Sequence, residues 1–116
     1  MTRKNIQSTD CTVDFAFQRI GGKYKGRILW YLHSHRILRY GELRRQINGV
    51  TAKMLTQTLR ELEEDGLINR EVFHQVPPKV EYSLSETGRE LIPFIMYLNK
   101  WGEKQMAKSG SVSLIL

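Results

Sequence analysis

A mainly α-helical fold with one small β-hairpin is what this sequence of 116 residues predicts, and three observations predict it. Apolar residues recur at helical spacing in five separate stretches, the period that lines one face of a helix. Glycines stand where three of those stretches stop, at Gly21-Gly22, Asn48-Gly49 and Gly66. Two short strand-like runs, 67–74 and 80–84, flank a segment holding Pro77 and Pro78, which opposes a central strand and favours a turning tip.

Taken in order, Val13 to Ile20 is a short first helix closed by the glycine pair. A second helix spans about Tyr24 to His33, with Ile28, Leu29 and Leu32 at core spacing. Ile37-Leu38-Arg39 is too short for a helix and fits a small strand. Tyr40 to Ile47 follows as a third helix, with Tyr40, Leu43 and Ile47 on one side. Thr51 is suited to cap the next helix, which runs to about Asp65. After the hairpin, one last helix is expected from Ser85 to about Lys108. Two helices joined by a tight glycine turn and followed at once by a hairpin make a winged helix-turn-helix. The chain is read as one such domain over 1–116, with 1–10 and 109–116 as flexible tails.

Composition sets the class. A hydrophobic fraction of 41% and a charged fraction of 26% are those of a globular protein. No apolar run approaches the roughly 18 residues of a membrane span, and the basic start Met1-Thr2-Arg3-Lys4-Asn5 leads into polar residues rather than the apolar core of a signal peptide. One cysteine excludes an internal disulfide framework, so a reducing cytoplasm is expected. The net charge of +6 is unevenly spread. Residues 1–30 carry +4 and 36–60 carry +5, whereas 61–65 carry −4. A basic excess that reverses within a few residues predicts a surface facing a polyanion, with a defined edge.

The Thr51 helix is the natural element to present there. At about 100° per residue, Leu55, Leu59 and Leu62 make one buried stripe with Ala52 beside them. Lys53, Gln57, Arg60 and Glu64 lie opposite, flanked by Thr56 and Met54. Arg and Lys suit guanine edges, Gln suits adenine, and Thr can meet a thymine methyl group. Lys53, Thr56, Gln57 and Arg60 are therefore the expected base readers of double-stranded DNA. Acidic residues near a helix C-terminus oppose the macrodipole, so their placement points to orientation rather than helix stability. In helix-turn-helix docking the N-terminal half enters the major groove. Arg44, Arg45, Thr51 and Lys79 at the wing tip, and more loosely Lys23, Lys25 and Arg39, are the expected backbone contacts, which position without reading sequence. The competing reading is a winged-helix protein–protein module that uses the acidic 61–65 segment as its contact surface.

Six blocks carry a family resemblance. They are Gly21-Gly22-Lys23-Tyr24, Arg39 to Arg45, Lys53 to Gln57, Leu59 to Leu67, Val76 to Leu84, and Trp101-Gly102. Over about residues 11 to 102 the sequence resembles the HxlR-type winged-helix transcription regulators of bacteria. The resemblance implies a homodimer that binds operator DNA as a repressor or activator. Tyr24 stands where that family usually has Trp, Thr12 where Pro is common, and Tyr40 where Phe is more frequent. These differences bear on packing more than on docking.

The resemblance also draws attention to Cys11, because some members sense oxidants or electrophiles through an N-terminal cysteine. A thiol near a helix N-terminus can be activated, with Arg19 or Lys23 as candidate helpers. The alternative is a small buried side chain. On the last helix Leu91, Phe94, Ile95, Leu98 and Trp101 make a broad apolar stripe. With Phe15 and Phe17 of the first helix it is read as a two-fold dimer interface, the alternative being that it closes the monomer's core. His33 and His35 fall on different helix faces, and no acidic or thiol partner sits at ligand spacing, so no metal is expected. No cofactor, catalytic group or effector pocket is marked, and the chain reads as non-enzymatic.

Overall fold

The computed structural model describes residues 11–110. Helices α1 (Thr12–Ile20) and α2 (Lys25–His35) lead into strand β1 (Ile37–Arg39), which runs directly into α3 (Tyr40–Gln46). Helix α4 (Ala52–Glu64), the hairpin β2 (Ile68–Phe73) and β3 (Lys79–Leu84), the one-turn α5 (Glu86–Arg89) and α6 (Ile92–Lys108) complete it. Beyond Ser109 and Gly110, which close α6 as a turn, both expected tails lie outside the described residues.

Helix α2 is the central beam. Its Ile28, Leu29 and Leu32 are fully buried, and it packs against α3, α4, β1, β3 and α6. Around them gather Leu43 and Ile47 at the end of α3, Leu55, Leu59 and Leu62 of α4, and Tyr82 and Leu84 of β3. Each fully buried aliphatic side chain contributes about 1.5–3 kcal/mol of hydrophobic stabilisation. The turn between α3 and α4 is possible because Gly49 takes φ 84°, a left-handed conformation that favours glycine. Gly66, at φ 75°, does the same between α4 and the hairpin.

The wing is larger than a hairpin. Strand β1 pairs antiparallel with β3, setting Leu38 opposite Tyr82, so the sheet has three strands in the order β1-β3-β2. This pairing joins segments more than forty residues apart, and no local sequence signal announces it.

Two expectations are corrected. The last helix is not continuous: α5 ends at Arg89 and α6 begins at Ile92. Pro93 explains the break, since it has no N–H to donate to the Arg89 carbonyl and its ring would collide there. Restarting at Ile92 leaves Pro93 in the first turn of α6, where no such bond is needed. Ser85 secures the start of α5, its Oγ accepting from the Gly88 N–H at 2.9 Å and donating to the Gly66 carbonyl at 2.6 Å. The second correction is Ala52, which is exposed at the first turn of α4 rather than part of its buried stripe.

Candidate nucleic-acid interface

Helix α4 is held by its apolar face and leaves the opposite face open. Leu55, Leu59 and Leu62 are no more than 2% exposed. Lys53, Met54, Gln57 and Arg60 are all exposed. Thr51 caps the helix, its Oγ1 accepting from the Met54 N–H at 3.1 Å, and no acidic residue occupies the first turn. The positive end of the helix dipole is therefore presented without a neutralising carboxylate.

Two clefts flank this face. One lies between α4 and the α1–α2 turn, lined by Lys23, Lys53, Gln57 and Glu61. The other lies towards the wing, lined by Tyr40, Thr56, Arg60, Glu63 and Arg70. Lys53 and Gln57 thus belong to one side of the helix, and Arg60 to the other.

Thr56 departs from its expected role. It is half-buried, with its Oγ1 3.3 Å from the Tyr40 hydroxyl, which also donates to the Ala52 carbonyl at 3.0 Å. Tyr40 of α3 ties down the first turns of α4, and Thr56 is part of that tie. Lys25 is likewise no phosphate contact. Only 7% exposed, it places its Nζ 3.0 Å from Glu61 Oε1 and 3.5 Å from the Gln18 carbonyl. Burial of an ammonium group is tolerated only with such partners.

The remaining backbone candidates differ in availability. Arg44 and Arg45 are exposed on α3, and Lys23 is exposed on the α1–α2 turn. Arg39 is exposed just before α3, where its N–H donates to Glu42 Oε1 at 2.8 Å. Lys79 is not at the tip of the wing but begins β3, 3.4 Å from Glu81 Oε2 and 4.7 Å from the centre of the Phe73 ring. A phosphate at Lys79 must compete with that carboxylate.

Three residues escaped the sequence reading. Arg70 stands on β2 opposite Tyr82, beside Arg60 in the wing-side cleft; it shares the alternation of Ile68 and Val72, so strand periodicity gives no outward signal for it. Helical spacing places Tyr40 with the core residues Leu43 and Ile47 and says nothing of where its hydroxyl bonds. Glu61 was counted as part of an acidic edge, yet it binds Lys25 and also accepts from Gln57 Nε2 at 2.9 Å.

A capped helix presents basic and amide side chains, backed by a glycine turn and a three-stranded wing. The family model for HxlR-like helix-turn-helix proteins matches residues 19–110. The chain belongs to the HxlR-like helix-turn-helix family. Its HxlR-like relatives include the regulatory protein MalR of Fusobacterium mortiferum, 45% identical over 104 residues that cover 90% of this chain and 96% of that one. The HTH-type transcriptional regulator YybR of Bacillus subtilis is 50% identical over 103 residues, covering 87% and 82% respectively. Among solved structures, the redox regulator HypR in its reduced form superposes with a TM-score of 0.81 at 46% identity, covering 87% of this chain and 99% of that one. Its oxidised form gives 0.77 at 49% identity, covering 81% and 96%. Membership makes this a DNA-binding transcription regulator, in a family that is not one of enzymes.

The rest of the HxlR-like chain bears on assembly and regulation. Helix α1 has no buried residue, and it sets Phe17 against Phe94 of α6 edge-on, with ring centres 6.3 Å apart. Phe15, Phe94, Leu98 and Trp101 are exposed, joined by Val13, Met96 and Tyr97, which the sequence reading had not singled out. Ile95, by contrast, is buried in the protomer's own core, and Leu91 is half-buried, lining a groove with Val13 and Phe17 of α1 and with Phe94. Cys11 is exposed at the N-cap of α1, which removes the alternative of a buried thiol. The Arg19 guanidinium stacks 3.6 Å from the centre of the Phe15 ring, one turn along α1 from Cys11. No helix is long and apolar enough among the described residues to cross a membrane.

Proposed function

We propose that this protein is a homodimeric, sequence-specific transcription regulator of the cytoplasm that binds a palindromic operator. Helix α4 enters the major groove with Lys53, Gln57 and Arg60 at base edges. Arg44, Arg45, Thr51, Lys23 and Arg39 rest on phosphates, and Lys79 with the wing follows the backbone. The observation that carries this reading is the division of α4 into a buried leucine stripe and an open basic and amide face behind a capped, uncompensated N-terminus. A protein–protein module has no need of that face. The acidic surface such a module would use is diminished, because Glu61 is engaged by Lys25 and Gln57.

The exposed aromatic residues of α1 and α6 form the contact between the two copies. The two α4 helices of such a dimer read half-sites about one helical turn, or a multiple of it, apart. Oxidants act through Cys11. With one cysteine per chain, an oxidant such as diamide takes two electrons and two protons from Cys11 and a second thiol, and a disulfide forms either between subunits or with a small thiol. The solved relative named as a redox regulator supports this reading.

Pull-down of fragmented genomic DNA with sequencing tests the reading as a whole. A discrete set of palindromic sequences is expected, with affinity falling steeply as salt rises. Recovery of no fragment above background, or binding indifferent to salt, removes the DNA-reading role. Diamide is expected to change operator binding by the wild-type protein and not by Cys11→Ser; equal responses remove the sensor role.

A further inference from the structure

The geometry points to Glu61 as the residue that sets how Gln57 reads a base, acting from a site fixed by the buried Lys25. This rests on the reading of α4 as the base-contacting helix. Glu61 lies one turn beyond Gln57 and is itself turned towards the α1–α2 side, where Lys25 Nζ holds its Oε1 at 3.0 Å. Its Oε2 receives Gln57 Nε2 at 2.9 Å. A carboxylate only accepts hydrogen bonds, so the amide nitrogen, and not the amide oxygen, must face Glu61. One N–H is thereby committed, while Oε1 and the other N–H remain on the outer edge of the amide. An acceptor and a donor side by side are what adenine requires in the major groove, at its N6 amino group and N7.

Held in this way, Gln57 enters the groove with its orientation already chosen. A free glutamine on the surface would populate many rotamers and both amide orientations, and binding would have to select one. Lys25 gives the arrangement its fixity. It is anchored on two sides, by Glu61 and by the Gln18 carbonyl at the end of α1, so the carboxylate has a defined position before DNA arrives. Glu61 is thus a positioning residue, and the acidic start of the 61–65 segment is part of the reading surface rather than its boundary.

The test compares base preference position by position, by selection of bound sequences from a randomised duplex pool with the full-length chain. Gln57→Ala is expected to relax one position in each half-site. Glu61→Gln with Lys25→Met removes the buried charges together and is expected to relax that same position by about three- to tenfold, with the other positions unchanged. A merely structural role would weaken all positions equally. If this double variant does not fold, Lys25→Met with Glu61→Leu serves: it also removes both charges at once, it leaves Gln57 no acceptor, and at least as large a loss at that position is expected. Full preference retained in the variant that folds, or an equal loss at every position, overturns the positioning role while leaving Gln57 as a reader. No change at any position in Gln57→Ala overturns both.

Discussion

Lys25 Nζ and Glu61 Oε1 lie 3.0 Å apart, joining the first residue of α2 to the tenth residue of α4 at the flank of the reading helix. With side chains only 9% and 23% exposed, this pair is a constraint on where α4 sits. Lys25→Ala leaves a largely buried carboxylate facing no cation. We expect a loss of about 3 kcal/mol, the lower end for a broken buried pair because Glu61 keeps some solvent. Lys25→Met with Glu61→Leu is expected to recover most of that loss, since both charges go at once. Midpoints of urea unfolding for Lys25→Ala and for the double variant measure it.

Tyr40→Phe removes the hydroxyl that bonds the Ala52 carbonyl and meets Thr56. Stability is expected to fall by about 0.5–1.5 kcal/mol, with operator selection unchanged, because the Thr56 hydroxyl is turned towards Tyr40. Thermal unfolding together with base-preference profiling checks both halves. A changed base preference would return Thr56 to the reading set.

Gly88→Ala is expected to damage the junction between wing and α5. Gly88 is buried, and a Cβ there would collide with the Leu67 carbonyl oxygen, a backbone atom with no room to yield. A cost of about 1–3 kcal/mol is expected, read as a lower melting temperature, whereas Gly102→Ala, which meets nothing, is expected to be neutral or mildly stabilising.

Phe17→Glu combined with Trp101→Glu places charges on two side chains that are 53% and 54% exposed in the single chain. The wild-type protein is expected to sediment as a dimer at micromolar concentration and this variant as a folded monomer. A variant that stays dimeric would show that the copies meet elsewhere.

Arg44→Ala and Arg45→Ala are each expected to lower the slope of log affinity against log salt by about 0.9 if they meet one phosphate apiece. Lys79→Ala is expected to change it by less, because Glu81 already offsets its charge. Titrations at several salt concentrations decide this, and an unchanged slope for Arg44 and Arg45 would move the backbone contacts elsewhere.

By itself the sequence determined most of the local structure. Periodicity, the Thr51 cap and the glycine stops marked the helices and strands up to the last helix, because each depends on residues within a few positions of one another. The leucine stripe and the outward Lys53, Gln57 and Arg60 were legible for the same reason. Only the tertiary structure decided what meets across the chain. The pairing of β1 with β3, the burial of Lys25 against Glu61, the tie from Tyr40 to Thr56 and the withdrawal of Ile95 into the core all join distant segments. A side chain's partners there are set by packing, which no helical wheel contains. Pro93 lies between the two cases: its effect on the helix is local, and it was visible in the sequence, but the long apolar period around it masked the break that its missing N–H imposes.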